Sequence, residues 1–100
     1  MSEVVEFTLR VKPGHYDQVV ELYSDFAHDY MAINPTLKTV LIVGDAGAGT
    51  VRGIGVYDTA ADAAAVNSDA IFANFNDAVA PLITGSPERV LLDLLHAWSR

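Results

Sequence analysis

The 100-residue chain contains no cysteine, which excludes disulfides and thiolate chemistry alike. Basic residues are scarce: six stand against thirteen acidic ones, and the resulting net charge of −7 repels phosphate backbones and anionic lipid surfaces. Nucleic acid and membranes are therefore not expected as partners. No apolar run approaches the roughly 18 residues of a membrane span. Met1-Ser2-Glu3 also lacks the basic start and apolar core of a secretory signal, so a cytoplasmic location is the expectation. His15, His28 and His96 are too far apart for the i, i+4 pairing of a zinc helix, and no metal site is expected.

What the chain does have is a clear alternation of periodicities. Val5, Phe7, Leu9 and Val11 share one face of a first strand, with Glu6, Thr8 and Arg10 on the other. Lys12-Pro13-Gly14 ends it. From His15 to Asn34 the apolar spacing becomes helical, with Val19, Leu22, Tyr23, Phe26, Tyr30 and Ile33 on one stripe, until Pro35 stops the helix.

Leu37 to Val43 and Val51 to Tyr57 read as two strands of a hairpin joined by Gly44 to Gly49. That loop has the outer spacing of a phosphate-binding loop, but Thr50 stands where the lysine belongs and a strand follows instead of a helix, so it is a turn. Thr59 and Asp62 form a capping-box-like start to an alanine-rich helix through about Asn67. A second helical segment spans about Asp69 to Ile83, with Ile71, Phe72, Phe75, Val79, Leu82 and Ile83 on one stripe and a kink at Pro81. The last run, Val90 to Trp98, is apolar on both faces apart from Asp93 and His96, so each face is expected to meet something dry.

Strand, helix, strand, strand, helix, strand is the ferredoxin-like βαββαβ pattern. It predicts one α+β domain over residues 1–100, a four-stranded antiparallel sheet with both helices on one face. Three stretches carry a family resemblance: the strand Val5 to Val11 running straight into Lys12-Pro13-Gly14, the segment Val56-Tyr57-Asp58-Thr59-Ala60-Ala61-Asp62-Ala63, and Phe72 to Leu82. Together they resemble the dimeric α/β-barrel superfamily, in particular the antibiotic biosynthesis monooxygenase (ABM) type domain.

The resemblance implies a homodimer in which two sheets face each other to close a barrel, each protomer keeping a pocket between its sheet and helices. Among members of that superfamily the pocket takes polycyclic aromatic intermediates oxidised without a cofactor, haem, or small metabolites. Haem-degrading members share an Asn on the first strand and a His on the second long helix; here the strand offers Glu6, Thr8 and Arg10, and residues 67–83 contain no His. Haem is disfavoured and no cofactor is assigned. Where many oxygenase-like members carry a Trp, this chain has Tyr57.

Candidate site residues follow from the stripes. His15, in the first turn of the first helix, is a candidate general base at a pocket mouth, with capping or packing as the alternative. Tyr30 is the second catalytic candidate. Tyr23, Phe26, Phe72 and Phe75 line the same space, either as plain core or as ligand walls, with Asn76 adding an amide and His96 facing pocket or dimer seam. Glu6, Thr8 and Arg10 with Asp93 form a possible polar cluster, catalytic or simply register-setting. Two functions stay open: a cofactor-independent oxygenase of a small aromatic or polyketide-like substrate, and a non-catalytic dimer that binds a small hydrophobic ligand or serves as a stress-related module. Packing with no pocket is a third.

Overall fold

The computed structural model describes residues 2–66 and 69–100. Strand β1 (Val4–Arg10) lies at the centre of one sheet of order β2-β3-β1-β4, with β2 at Leu37–Asp45, β3 at Thr50–Tyr57 and β4 at Glu88–Leu92. Every neighbouring pair is antiparallel. Helices α1 (Tyr16–Ile33), α2 (Ala60–Ala65) and α3 (Ala70–Val79) cover one face, giving the expected ferredoxin-like α+β fold.

The register sorts the residues cleanly. Val5, Phe7 and Leu9 point to the helices beside Gly55, Gly53 and Val51 of β3. The opposite face carries Glu6, Thr8 and Arg10 beside Ile54, Arg52 and Thr50. On the helix side the core holds Val19, Tyr23, Ala27 and Tyr30 of α1 with Phe72, Phe75 and Val79 of α3. Ile33, expected on the α1 stripe, is exposed at the last position of the helix.

Caps and turns behave as their chemistry requires. The Asp62 N–H donates to Thr59 Oγ1 at 3.1 Å and the Thr59 hydroxyl donates to Asp62 Oδ2 at 2.8 Å, so this short capping box starts α2. Its expected end at Asn67 lies outside the described residues. The β2–β3 hairpin closes on Gly49 at φ +68°, a conformation that a side chain would strain. Pro81 ends α3 rather than kinking it: with no N–H to donate, it opens a single 3-10 turn, Ala80–Leu82, after which Ile83 bridges to Val11.

The last strand departs most from expectation. It starts at Glu88 and stops at Leu92, and residues 93–100 are exposed without regular structure, Leu95 and Trp98 among the most exposed side chains in the chain. The helices pack chiefly over β1, β2 and β3, so the inner face of edge strand β4 is left partly open and Leu91 stays 40% exposed. Apolar composition marked this run as dry on both faces; the width of the helical layer decides otherwise.

Gly53 is where the two layers come closest. A Cβ there would collide with the Tyr23 hydroxyl and ring, whose Cε1 lies 2.9 Å from the built position. Gly53→Ala is accordingly expected to cost about 1–3 kcal/mol by overpacking, read as a lower urea midpoint at unchanged slope. A Gly53→Ala midpoint equal to the parent's would show that Tyr23 does not rest on this strand.

Candidate functional site

The gap between sheet and helices is floored by glycines and walled by aromatic rings. β3 presents Gly53 and Gly55 to the helices; the Tyr23 ring lies on the first, while Tyr57 and Leu37 carbons approach a Cβ built at the second within 3.3 and 3.4 Å. Above them the rings of Tyr23, Phe26, Tyr30, Phe72 and Phe75 interlock, Phe26 stacking on Tyr30 at 5.4 Å and on Phe75 at 4.6 Å. What remains is a cavity of about 40 Å³, walled by Tyr23, Tyr30, Tyr57, Phe26 and Phe72 over Gly53 and Gly55. A buried water needs about 10–15 Å³ on this measure, so the cavity holds a few waters and no ring system as it stands.

Its polar groups are phenols. Burial pushes the Tyr23 hydroxyl far above the ordinary tyrosine range, only partly offset by a hydrogen bond from the Gly53 backbone N–H. Burial likewise drives Tyr57 upward, reinforced by its hydrogen bond with Tyr30 and opposed by the positive charge of Arg89. Both phenols are thus held neutral, as hydrogen-bonding groups and not as phenolate bases.

Apolar patterning, which begins the last run at Val90, does not mark Arg89. It stands opposite Phe7 in the register, on the helix side of β4, and its Nη2 donates to the Ala63 carbonyl at the end of α2 at 3.2 Å. Its Nε is shut off from solvent without a partner. Alternation from the paired strand β1 is the signal that would have placed it inward.

The other candidates are distributed as follows. Tyr30, Tyr23, Phe26 and Phe72 border the cavity; Phe75 packs behind them, 4.8 Å from the Tyr23 ring. Asn76 lies outside the cavity, on an adjoining groove. His15 sits at the N-cap position of α1 without a side-chain capping bond, its Nδ1 3.3 Å from Gln18 Oε1 on the surface. His96 is exposed beyond the end of β4 and stacks on Trp98, not on a cavity wall. The structure therefore does not bring either histidine together with the tyrosines.

The proposed polar cluster also divides. Arg10 pairs with Glu88 at 2.9 Å, and Arg52 bridges Glu6 at 3.8 Å and the Thr8 hydroxyl at 3.2 Å, all on the uncovered sheet face. Asp93 stays apart, past the end of β4, where it accepts from the Ser2 hydroxyl. Among the described residues no three His, Asp or Glu side chains converge as metal ligands, and no helix is long and apolar enough to cross a membrane.

The strand, helix, strand, strand, helix, strand order, with a four-stranded antiparallel sheet covered by helices on one face, defines the ferredoxin-like class. Within it, the chain has the fold of ABM-type domain proteins. A candidate antibiotic biosynthesis monooxygenase from Nitrosomonas europaea superposes with a TM-score of 0.81 at 20% identity over 93% of this chain and 98% of that one. Another from Caulobacter crescentus gives 0.81 at 19%, over 93% and 89%. A protein of unknown function from Nitrosomonas europaea gives 0.83 at 18%, over 97% and 92%. Neither a family model nor a curated protein sequence matches the chain.

The buried phenols have a measurable signature. A tyrosine whose folded pKa is raised keeps its proton when the unfolded chain would lose it, so stability is full below the ordinary value of about 10 and falls as pH climbs above it. In an alkaline titration followed by tyrosinate absorbance, Tyr23 and Tyr57 are expected to ionise only together with loss of the near-ultraviolet circular dichroism. Ionisation of all four tyrosines in a native-like chain would contradict the burial described.

Proposed function

We propose that this chain is an ABM-like oxygenase that takes a small aromatic substrate into the helix–sheet space and oxidises it with dioxygen without a resident cofactor. The observation that carries this reading is the cavity's make-up: phenol hydroxyls of Tyr30 and Tyr57 with the Arg89 charge beside them, in a surround that is otherwise hydrocarbon. Aromatic walls hold a flat ring; a few fixed polar groups orient it. The names of the structural neighbours point the same way.

For a substrate of anthrone type, loss of a proton from the ring methylene gives an enolate. Tyr23 and Tyr57 are held neutral and cannot take that proton, so it leaves to water, and the positive field of Arg89 favours the anion. The anion then reduces dioxygen. One oxygen atom becomes the new carbonyl and the other leaves as water with the two methylene hydrogens, which balances the reaction. Tyr30 orients the ring through its hydroxyl, and Tyr23, Phe26, Phe72 and Phe75 pack around it, leaving room only for the few waters that receive the proton.

A second reading, a binding protein that performs no chemistry, is favoured by the small volume and by the Tyr23 and Tyr57 phenols that burial keeps neutral on the cavity walls. Turnover separates the two. With anthrone under oxygen, the oxygenase reading expects quinone formation, an Arg89→Gln loss of about 100-fold in kcat/KM, and no change for His15→Ala, which lies off the cavity. Tight binding with no oxygen uptake would leave only the second reading.

The proposal includes a homodimer joined through the uncovered sheet face. There Leu41, Val43, Val90 and Leu92 are 41–54% exposed around the Glu6–Arg52 and Arg10–Glu88 pairs, an apolar surface with charged pairs at its centre. Light scattering is expected to give twice the 10.7 kDa chain mass at micromolar concentration. Leu41→Glu, exposed in the protomer and so harmless to its fold, is expected to halve it. A parent chain already monomeric there would refute the sheet-face assembly.

A further inference from the structure

Beside the inner cavity, on the side of β4, lies an open groove of about 480 Å³ between α3 and the segment that leads into β4. Phe7 and Phe72 belong to the walls of both spaces, packed edge to face with ring centroids 5.1 Å apart. These two rings are the partition. Phe7 is fixed in the central strand by pairing on both sides, with Gly53 and with Arg89. Phe72 stands on α3, in the helical layer, with Phe26 5.8 Å and Phe75 6.5 Å away between ring centroids, so its ring belongs to the helices and not to the sheet.

A second observation points to the same place. Asn76, one helical turn after Phe72, borders the groove, and its Oδ1 is closed off from solvent with no hydrogen-bond partner. An unpaired buried acceptor costs about 1–3 kcal/mol. Around it the groove offers hydrocarbon from Phe7, Ile83 and Pro87, and the exposed Asp77 carboxylate, which disfavours an anionic ligand.

We infer that Phe72 is a gate: turned aside, it joins groove and cavity into one pocket that admits a neutral hydroxylated aromatic, whose hydroxyl donates to Asn76 Oδ1. This rests on the helix–sheet space being the site, as proposed above, and adds its entrance, its positioning residue and its ligand class. It also resolves the difference in size between a cavity of a few waters and a substrate of fused rings. Opening exposes the Asn76 acceptor at the moment a donor arrives, so the ligand supplies what the closed protein lacks.

Calorimetric titration under argon with 1-naphthol, and with naphthalene as the hydroxyl-free control, tests this without any turnover. The parent protein is expected to prefer 1-naphthol by about 3–10-fold, the range of one hydrogen bond. Asn76→Leu is expected to erase that preference, and it also raises the melting temperature, since it removes a buried unpaired acceptor; an asparagine with no part in binding would leave the preference in place. Phe72→Leu, which shrinks the gate and keeps the core apolar, is expected to bind both compounds about tenfold more tightly, and Phe72→Trp more weakly than the parent.

Equal affinity of the Phe72→Leu, Phe72→Trp and parent proteins, or a naphthol preference that survives Asn76→Leu, would overturn the gate. So would a ligand-free crystal structure in which an ordered water already satisfies Asn76 Oδ1, together with unaltered naphthol selectivity. Gated binding without oxidation of anthrone under oxygen would sink the oxygenase reading alone. Anthrone turnover indifferent to Phe72 and Asn76 would sink the gate alone.

Discussion

The close seating of tyrosine rings on a bare stretch of β3 is the contact on which the rest of the molecule depends. Gly53 and Gly55 face the helices, and their missing side chains let Tyr23 and Tyr57 lie against the sheet backbone. Leu9, Val51, Val19 and Val79, with no solvent exposure, seal one end of the same layer. Because the rings are wide and the floor is flat, packing leaves a small gap rather than filling it, and the gap's lining is fixed by residues that also hold the layers together. Stability and site are made from the same side chains.

Charge is arranged to suit that division. The Arg10–Glu88 and Arg52–Glu6 pairs lie on the uncovered face, away from the helix–sheet gap. On the inner side Arg89 brings a positive charge near the phenols, tied to the end of α2 through the Ala63 carbonyl. A low-dielectric gap with neutral phenols and an adjacent positive charge discriminates between a neutral and an anionic form of a bound ring more strongly than an aqueous site would. That is a physical basis for choosing among aromatic ligands even where no general base is present.

Much of this was legible in the sequence, for identifiable reasons. Strict alternation from Val5 to Val11 fixed which side of β1 faces the helices, and the α1 stripe of Val19, Tyr23 and Tyr30 followed from helical spacing. Tyr23, Phe26, Tyr30 and Phe72 were named from the stripes and border the cavity. What periodicity does not carry is the width of a layer. Val90 to Trp98 is apolar enough to be a buried strand, but the helices stop short of β4 and the chain leaves the sheet after Leu92. His96 and Asp93 were placed by that strand and move with its loss. His15 shares a stripe with Leu22 and Phe26, yet a first-turn position puts its ring at the surface beside Gln18. One available signal went unread: two glycines at alternate positions of Val51-Arg52-Gly53-Ile54-Gly55, facing an aromatic helix, announce a close approach.

Entry of an aromatic ligand into the gap walled by Tyr23, Tyr30 and Tyr57 can be followed directly through the chain's four tyrosines. With fluorotyrosine incorporated, fluorine magnetic resonance gives one signal for each, and Tyr16, packed over Gly44 away from the gap, serves as the internal control. On titration with 1-naphthol the account predicts that the Tyr23, Tyr30 and Tyr57 signals move together and saturate while that of Tyr16 stays in place. Movement of Tyr16 alone, or of none of the four at saturating ligand, would contradict it.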